Sequence, residues 1–247
     1  VNFQVHPDVI GGCKISADYP KFVRDTYEKM VDNSLCMYIN GAQGDTNHID
    51  VRIKSPEKAR GYNRSRYMGK KIALSVIANY ELAKELDETK ISYGQNNFFT
   101  KHNKGTPEEE VQAAFFNDIY LKEGKAACEE KAKEMGVLHS FFTPKVTRIA
   151  SLIGKPEDKE LYLTAVAIGD VVFAGFPGEP FTEIGRSVKA GSKFELTITA
   201  CCANGYEGYY PMKSAYDEGG YEATTAMYKA GTAEKMIEES LKLVNSL

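Results

Sequence analysis

The chain has no tryptophan, no long apolar run and no strong excess of charge of either sign. It contains 247 residues, of which 43% are hydrophobic and 26% charged, and its formal net charge is −3. A nucleic-acid-binding protein usually shows a basic patch, so this balance argues against a nucleic-acid partner. No apolar run approaches the roughly 20 residues of a membrane-spanning helix. The composition predicts a globular protein with a substantial hydrophobic core.

Cysteine is scarce and shows no metal-binding or redox spacing. The five cysteines are Cys13, Cys36, Cys128, Cys201 and Cys202. No Cys-x-x-Cys or zinc-finger pattern occurs among them, and the last two lie in an apolar run. We therefore expect buried free thiols, which fit a reducing compartment such as the cytoplasm better than a disulfide-linked scaffold.

Two common functional motifs are also missing. There is no Gly-x-Ser-x-Gly segment, so the sequence gives no sign of a serine hydrolase that uses this motif. Segment 41–45 (GAQGD) follows a predicted strand, but it lacks both the G-x-G-x-x-G pattern and the lysine of a phosphate-binding loop. Nucleotide binding is therefore not expected.

Apolar runs and helical periodicity alternate along the chain. Strands are predicted at residues 1–5, 35–39, 91–100, 145–152, 161–168, 171–175 and 196–202. Helices are predicted at residues 19–31, 56–86, 107–135, 181–189 and 232–244. Residues 154–158 (GKPED) predict a hairpin turn between two strands. The alternation predicts an α/β fold, with mixed β-sheets flanked by helices, in one domain over residues 1–247.

The clearest helix start lies at Thr106. This threonine can act as the N-cap, Pro107 occupies the first helical position, and Glu109 completes a capping box. Residues 55–58 (SPEK) form a similar but weaker start. Local sequence therefore predicts where the helix at 107–135 begins.

Three distant segments each end a predicted strand with a side chain that can bind a metal. Glu179 lies in segment 175–186 (GFPGEPFTEIGR), Tyr209 lies in segment 204–211 (NGYEGYYP), and His6 ends the first predicted strand. Side chains at strand ends are held by a rigid sheet and open to a cleft. Together they suggest a mononuclear metal site with histidine, glutamate and tyrosine ligands.

Each of these residues also has a purely structural explanation. Glu179 can be a solvated carboxylate at the start of a helix, where acidic side chains are favoured. Tyr209 can be a packing residue with a hydrogen-bonded hydroxyl. His6, which precedes a proline, can simply end a strand. Spacing cannot join the three, because they are far apart in sequence.

A polar cluster follows the predicted strand at 35–39. It consists of Asp45, Asn47, His48 and Asp50. One explanation is a loop of Asx turns, in which short polar side chains bind their own backbone. The other is the wall of a site, since the cluster lies at the carboxyl end of a strand. The second interpretation is slightly favoured.

Five segments, in chain order, resemble the neutral/alkaline (non-lysosomal) ceramidase family. They are 3–7 (FQVHP), 15–19 (ISADY), 44–47 (GDTN, where the family carries GDVS), 177–186 (PGEPFTEIGR, in which Pro180 is inserted) and 204–209 (NGYEGY, an Asn-x-Tyr-x-x-Tyr pattern). Tyr216, Tyr221 and Glu222 follow at matching offsets. The block that begins at Asn204 is the most specific.

The resemblance implies a ceramidase-like catalytic domain that hydrolyses an N-acyl amide with one zinc ion. The substrate is then a lipid or small-molecule amide, and the family's zinc is held by two histidines, a glutamate and a tyrosine. Carried over, His6, Glu179 and Tyr209 are the expected zinc ligands, and Tyr221 is expected to face the substrate. Asp45 and Asn47, in the matched loop, are the further catalytic candidates.

Two departures from the family pattern bear on activity. The family's other zinc histidine stands in an upstream His-x-His-Ser segment, and no His-x-His occurs in this chain. Either residues 1–247 form the C-terminal part of a larger catalytic domain or the site is incomplete, and zinc can be absent from the chain as given. Asn47 replaces the family's serine; an amide is no nucleophile, although it can donate a hydrogen bond to an oxyanion.

Three functions follow from these observations. The first is a zinc-dependent hydrolase of an N-acyl amide whose substrate need not be ceramide. The second is a catalytically silent ceramidase relative with a binding or structural role, which Asn47 and the missing histidine favour. The third is a metal-dependent hydrolase of small, non-lipid amides, because no amphipathic helix suited to membrane docking is evident.

Overall fold

A mixed β-sheet with helices packed against it forms the frame of the protein. The computed structural model describes residues 1–50, 52, 59–86 and 90–247. Its strands are β1 (Asn2–Phe3), β2 (Ile39–Asn40), β3 (Ile91–Lys101), β4 (Asp158–Ile168), β5 (Val171–Gly175), β6 (Glu179–Pro180), β7 (Leu196–Ala200) and β8 (Tyr209–Tyr210). Its helices are α1 (Asp18–Met30), α2 (Tyr62–Ile77), α3 (Pro107–Glu123), α4 (Lys125–Glu134), α5 (Phe142–Leu152), α6 (Thr182–Gly191), α7 (Lys213–Glu218), α8 (Tyr221–Thr225) and α9 (Thr232–Ser246).

The central sheet has the strand order β3-β4-β5-β7. Its first two pairings are antiparallel, and β5 pairs with β7 in parallel. Two short parallel pairs, β1 with β2 and β6 with β8, lie outside it. Because β5 and β7 are parallel, their carboxyl ends lie at the same edge of the sheet. The predicted α/β fold with mixed sheets is confirmed.

The largest hydrophobic core lies between this sheet and helices α6 and α9. Leu161, Leu163, Ala165 and Ala167 are buried at every second position of β4, since alternate side chains of a strand share a face. From α9, Met236 joins the same core and is fully buried. Burial of each large aliphatic side chain contributes about 1.5–3 kcal/mol. This core gives the strand ends a rigid support.

The strand predicted at residues 145–152 is wrong, because these residues lie in α5. Val146 and Ile149 are buried three residues apart, on one face of a helix, and they pack with Phe116 of α3. The β-branched side chains favoured a strand, but packing against α3 decided the conformation. Residues 153–157 accordingly join α5 to β4, whereas the sequence predicted a hairpin turn between strands at 154–158.

The single helix predicted at 107–135 is two helices that meet at Gly124. The φ of Gly124 is 89°, in the region that favours glycine, so α3 ends there and α4 begins. The predicted start of α3 is confirmed. The Thr106 hydroxyl accepts from the backbone N–H of Glu109 at 3.2 Å, and the Glu109 carboxylate accepts from the backbone N–H of Thr106 at 3.0 Å.

Substitution of Thr106 by alanine should lower the free energy of unfolding by about 1 kcal/mol, the usual cost of losing an N-cap side chain. The reason is that the N–H of Glu109 loses its acceptor. Urea denaturation of both proteins measures the change. Ser75→Ala, which removes an exposed hydroxyl from the last turn of α2, is the control. Equal stability of the Thr106 variant and the parent would contradict the role of the cap.

Three predicted strands overlap the observed ones only in part. The strand predicted at 1–5 shrinks to the two residues of β1, and the strand predicted at 35–39 shares only Ile39 with β2. The strand predicted at 196–202 ends at Ala200, and Cys201 and Cys202 form a turn. The short pairs depend on contacts between segments that are distant in sequence, which local patterns do not show.

Among the helices, α2 occupies the middle of the predicted range 56–86. The helix start predicted at 55–58 lies outside the described residues. Helices α7 and α8 were not predicted, because six and five residues are too few to show a helical period. Within the described part of the chain, no helix is long and apolar enough to cross a membrane.

All five cysteines are free thiols. Cys36 and Cys128 are buried as predicted, but Cys13 and Cys202 are exposed. The prediction of buried thiols is therefore right for part of the set.

Candidate metal site

The candidate site lies beyond the carboxyl ends of the parallel strands β5 and β7. After Gly175 the chain leaves β5 and forms β6, which pairs in parallel with β8. This register places Glu179 opposite Tyr209. The backbone N–H of Glu179 also donates to the carbonyl oxygen of Gly208 at 2.9 Å. Backbone pairing therefore fixes two of the predicted ligands side by side.

Two glycines let the backbones in this region approach closely. A Cβ on Gly178 would lie 2.5 Å from the carbonyl oxygen of Gly208, and one on Gly44 would lie 2.6 Å from that of Glu179. The N–H of Gly44 donates to the carbonyl oxygen of Pro180 at 2.8 Å. The 177–186 segment and the 44–47 loop, both singled out in the sequence, are therefore in direct backbone contact.

His6 reaches the same place from the end of the first predicted strand. Its Nε2 lies 2.6 Å from Oε2 of Glu179, and the Tyr209 hydroxyl lies 3.5 Å from the same nitrogen. The structure thus brings His6, Glu179 and Tyr209 together, although the first and last are 203 positions apart. Their role as metal ligands stays a prediction.

Three groups that were not predicted as site residues orient His6 and Glu179. The carbonyl oxygen of Thr46 lies 2.7 Å from Nδ1 of His6, so Nδ1 carries a hydrogen and donates it. The Gln43 amide donates to Oε2 of Glu179 at 3.1 Å, and the Tyr206 hydroxyl donates to Oε1 at 2.8 Å. Tyr206 lies in the Asn-x-Tyr-x-x-Tyr segment, but nothing in the sequence shows that it faces Glu179.

The His6–Glu179 pair is electrostatically coupled. Glu179 is only 5% exposed, so it is not a solvated helix-start carboxylate. Burial opposes its charge, but hydrogen bonds from His6 and Tyr206 hold its pKa below the ordinary value. Burial also opposes the charge of His6, yet hydrogen bonds to Glu179 and Thr46 raise the pKa of His6 to about 9. Without a metal ion, a proton therefore joins the two side chains.

The third side chain, Tyr209, is also shielded from solvent. Burial raises the pKa of its phenol above the ordinary value, and the negative charge of Glu179 adds to this effect. Without a metal ion the phenol keeps its proton at neutral pH. The site therefore contains one imidazole, one carboxylate and one phenol. The imidazole nitrogen of His6 lies within hydrogen-bond reach of both the Glu179 carboxylate and the Tyr209 hydroxyl.

This donor set fits a zinc ion. A ligating histidine usually donates its other ring N–H to a carbonyl or carboxylate, as His6 does to Thr46. Zinc accepts imidazole nitrogen and carboxylate oxygen at about 2.0–2.2 Å, and a cation there would take the place of the proton between His6 and Glu179. Among the described residues, no cluster of three or more His, Cys, Asp and Glu side chains could hold a metal. Beside His6 and Glu179, the phenol of Tyr209 is the third side chain of the predicted ligand set.

Asp45 and Asn47 flank Thr46 on the loop that holds His6. Oδ1 of Asp45 accepts from the backbone N–H and the hydroxyl of Thr182, at 2.6 Å each, so it anchors the loop to the start of α6. Oδ1 of Asn47 accepts from the N–H of Ile49 at 3.0 Å, which is an Asx turn. The Asx-turn explanation is therefore confirmed for Asn47, and the site-wall explanation stays a prediction. The catalytic roles of Asp45 and Asn47 stay predictions.

Tyr221 begins α8 and lies beside Tyr209. The two rings are edge to face, with their centroids 6.1 Å apart. Tyr221 is 42% exposed, and it lines a cleft of about 420 Å³ between α5 and α8. It is thus placed between the candidate site and an open cleft, where a substrate-facing residue is expected. That role also stays a prediction.

The chain has a ceramidase-like α/β fold. Over 99% of its length it is similar to the crystal structure of neutral ceramidase from Pseudomonas aeruginosa, with a TM-score of 0.67 and 15% identity. A ceramidase complexed with C2 gives the same coverage of this chain, a TM-score of 0.67 and 14% identity. No protein-family model matches the sequence, and no significant match is found among curated proteins.

The similarity covers less than half of those proteins. The chain aligns with 43% of the Pseudomonas ceramidase chain and 44% of the other. At this level of identity the comparison establishes the fold, whereas activity, substrate and metal are proposals for this chain. The single-domain organisation predicted for residues 1–247 stays a prediction as well.

Proposed function

We propose that this chain carries part of the active site of a zinc-dependent hydrolase that cleaves an N-acyl amide bond. The observation that carries the proposal is the meeting of His6, Glu179 and Tyr209 within a ceramidase-like fold. The resemblance of the sequence to the ceramidase family makes these same residues zinc ligands. A purely structural role would not require an imidazole, a carboxylate and a phenol to converge beside an open cleft.

A zinc ion held by these residues would supply a Lewis acid and lower the pKa of a bound water to roughly 7. Thr46 fixes the ring of His6, and Gln43 and Tyr206 fix the carboxylate of Glu179. Preorganised ligands of this kind lose little entropy when the metal binds. In this proposal Tyr221, whose ring packs against Tyr209, donates a hydrogen bond to the substrate carbonyl.

The substrate proposal is an N-acyl amide other than long-chain ceramide. Asn47 stands where the resembling family has serine, and its amide group cannot act as a nucleophile. The described residues bring together three candidate donors, His6, Glu179 and Tyr209, and the sequence has no His-x-His to supply the family's other histidine, so we expect the 247-residue chain by itself to bind zinc weakly. Both features also support the second candidate, a catalytically silent relative that retains the fold.

A panel of N-acyl amides tests the proposal. The panel varies the acyl chain length, includes ceramide, and is assayed with added zinc and with a chelator. Zinc-dependent hydrolysis of at least one amide, with ceramide a poor substrate, is the expected result. Zinc binding without turnover of any amide would favour the silent relative, and efficient turnover of ceramide would refute the substrate proposal.

The Tyr221→Phe variant should slow amide hydrolysis by roughly 100-fold, a typical cost of one lost donor to a developing oxyanion. Its zinc content should not change, because the hydroxyl is not a proposed ligand. Turnover and elemental analysis on the same sample measure the two effects. Tyr93→Phe, which removes an exposed hydroxyl from β3, is the control. Full activity of Tyr221→Phe would show that the hydroxyl does not act on the substrate.

A further inference from the structure

The cleft between α5 and α8 is lined by two cationic side chains and several hydroxyl groups. Arg148, Lys125, Tyr120, Thr147, Ser151 and Tyr221 are among the residues that line it. Its volume is about 420 Å³, which is enough to hold a small polar group together with water. Tyr221 forms the border with the candidate metal site, because its ring packs against Tyr209 on the other side.

Arg148 is the unusual residue of this cleft. It is 9% exposed, and two of its N–H groups donate to the carbonyl oxygens of Thr224 and Asn103. These carbonyl groups hold the guanidinium in place but carry no net charge. Among the described residues, no carboxylate forms an ion pair with Arg148. Glu109 acts on it only at longer range and is paired with Lys145 at 2.8 Å.

A buried guanidinium without a carboxylate partner is unfavourable, since buried charges are normally paired. Burial lowers the pKa of Arg148, yet an arginine side chain stays charged at any physiological pH. Arginine presents a planar set of donors that suits carboxylate, sulfonate and phosphate groups. The Lys125 ammonium adds positive charge at the rim, although Glu129 lies 3.6 Å from it.

The remaining hydroxyl groups divide into three sets. Those of Thr147, Ser151 and Thr225 donate to backbone carbonyls of their own helices, and that of Thr143 donates to the Glu129 carboxylate at 3.2 Å. Within the described part of the chain, the hydroxyls of Tyr120 and Tyr221 form no hydrogen bond, so both can donate to a ligand in the cleft. The cleft therefore offers cationic and neutral donors but no carboxylate among its lining residues.

We propose that the cleft between α5 and α8 receives an anionic group on the amine half of the N-acyl amide that the neighbouring site cleaves. The inference rests on the function proposed above. The acyl half of such a substrate carries no charge, so the two cationic side chains of the cleft, Arg148 and Lys125, suit an anionic group on the amine half. Tyr221 then lies between the amide bond and the anionic group.

Taurine and ethanolamine test the binding step without catalysis. The two amines differ in that a sulfonate replaces a hydroxyl. In NMR titrations of the metal-free chain, taurine should bind at α5 and α8, and ethanolamine should bind at least about tenfold more weakly, because the charge-assisted hydrogen bonds to Arg148 are absent. Equal binding of both amines, or taurine shifts elsewhere on the protein, would overturn the proposal.

Variants identify the group that selects the anion. Arg148→Gln should weaken taurine binding by roughly tenfold or more. Lys125→Gln should weaken taurine binding by a smaller factor. Because Lys125 is exposed, this variant can test the proposal if the Arg148 variant does not fold. Lys133→Gln removes the same charge from an exposed position of α4 and should have no effect. Unchanged taurine binding in both cleft variants would refute the proposal.

Kinetics separate this inference from the proposed function. For N-acyltaurine and N-acylethanolamine of equal acyl length, the ratio of kcat/KM should favour the taurine amide, and Arg148→Gln should lower that ratio about tenfold, mainly through KM. Turnover of both amides at equal efficiency would refute the anion site and leave the hydrolase intact. Taurine binding at the cleft without any turnover would support the anion site and refute the hydrolase.

Discussion

Replacement of Glu179 by alanine should remove amide hydrolysis and lower zinc affinity by more than about 100-fold. Loss of a group that only hydrogen-bonds to a metal ligand lowers metal affinity about 10–100-fold. Glu179 is proposed as a ligand itself, so its loss should lower the affinity further. It is buried, and its carboxylate contacts His6, Gln43 and Tyr206. Zinc titration against a competing chelator, together with turnover of the best amide in the panel, measures both effects.

Two further variants make this result specific. Glu179→Gln keeps the size of the side chain, so a loss of zinc in that variant cannot come from a cavity. Glu183→Ala removes an exposed carboxylate from the first turn of α6 and should leave zinc affinity unchanged. Parent-like zinc affinity in folded Glu179→Gln would contradict the assignment of Glu179 as a ligand.

Gly178→Ala should destabilise the protein and weaken the metal site at the same time. The added Cβ would lie 2.5 Å from the carbonyl oxygen of Gly208 and 2.8 Å from the ring of Tyr210. The backbones of β6 and β8 must separate to relieve this contact, and they carry Glu179 and Tyr209. Overpacking of this kind typically costs about 1–3 kcal/mol. Thermal denaturation and zinc titration of the same variant test the two effects.

Gly11→Ala is the matched control, because a Cβ there would meet nothing within 4 Å. It should change the free energy of unfolding by no more than about 0.5 kcal/mol, as for most surface substitutions. If Gly178→Ala were as stable as this control and bound zinc like the parent, close packing at Gly178 would not be what positions Glu179.

The regular parts of the fold follow from local sequence. In β4 the alternation of buried Leu161 and Leu163 with exposed residues is visible in the chain, because a strand turns every second side chain to the same face. Thr106, Pro107 and Glu109 determine the start of α3, since each acts on neighbouring backbone groups. These features require no knowledge of distant contacts.

The elements that were missed depend on distant contacts. Val146 and Ile149 fit a strand or a helix equally well, and packing against Phe116 selects the helix. The two-residue strands β6 and β8 have no pattern of their own, and they pair because Gly178 lets its backbone approach the carbonyl oxygen of Gly208. Local propensity cannot predict these conformations, because the contacts that stabilise them are made with another segment of the chain.

The candidate site divides in the same way. The sequence by itself determined the residue types, since a resemblance of short segments singled out His6, Glu179 and Tyr209. Only the tertiary structure decided that these residues meet, and that Gln43, Tyr206 and the carbonyl of Thr46 hold them. The physical reason is that hydrogen bonds between segments more than 100 positions apart depend on the packed sheet, and no local pattern records them.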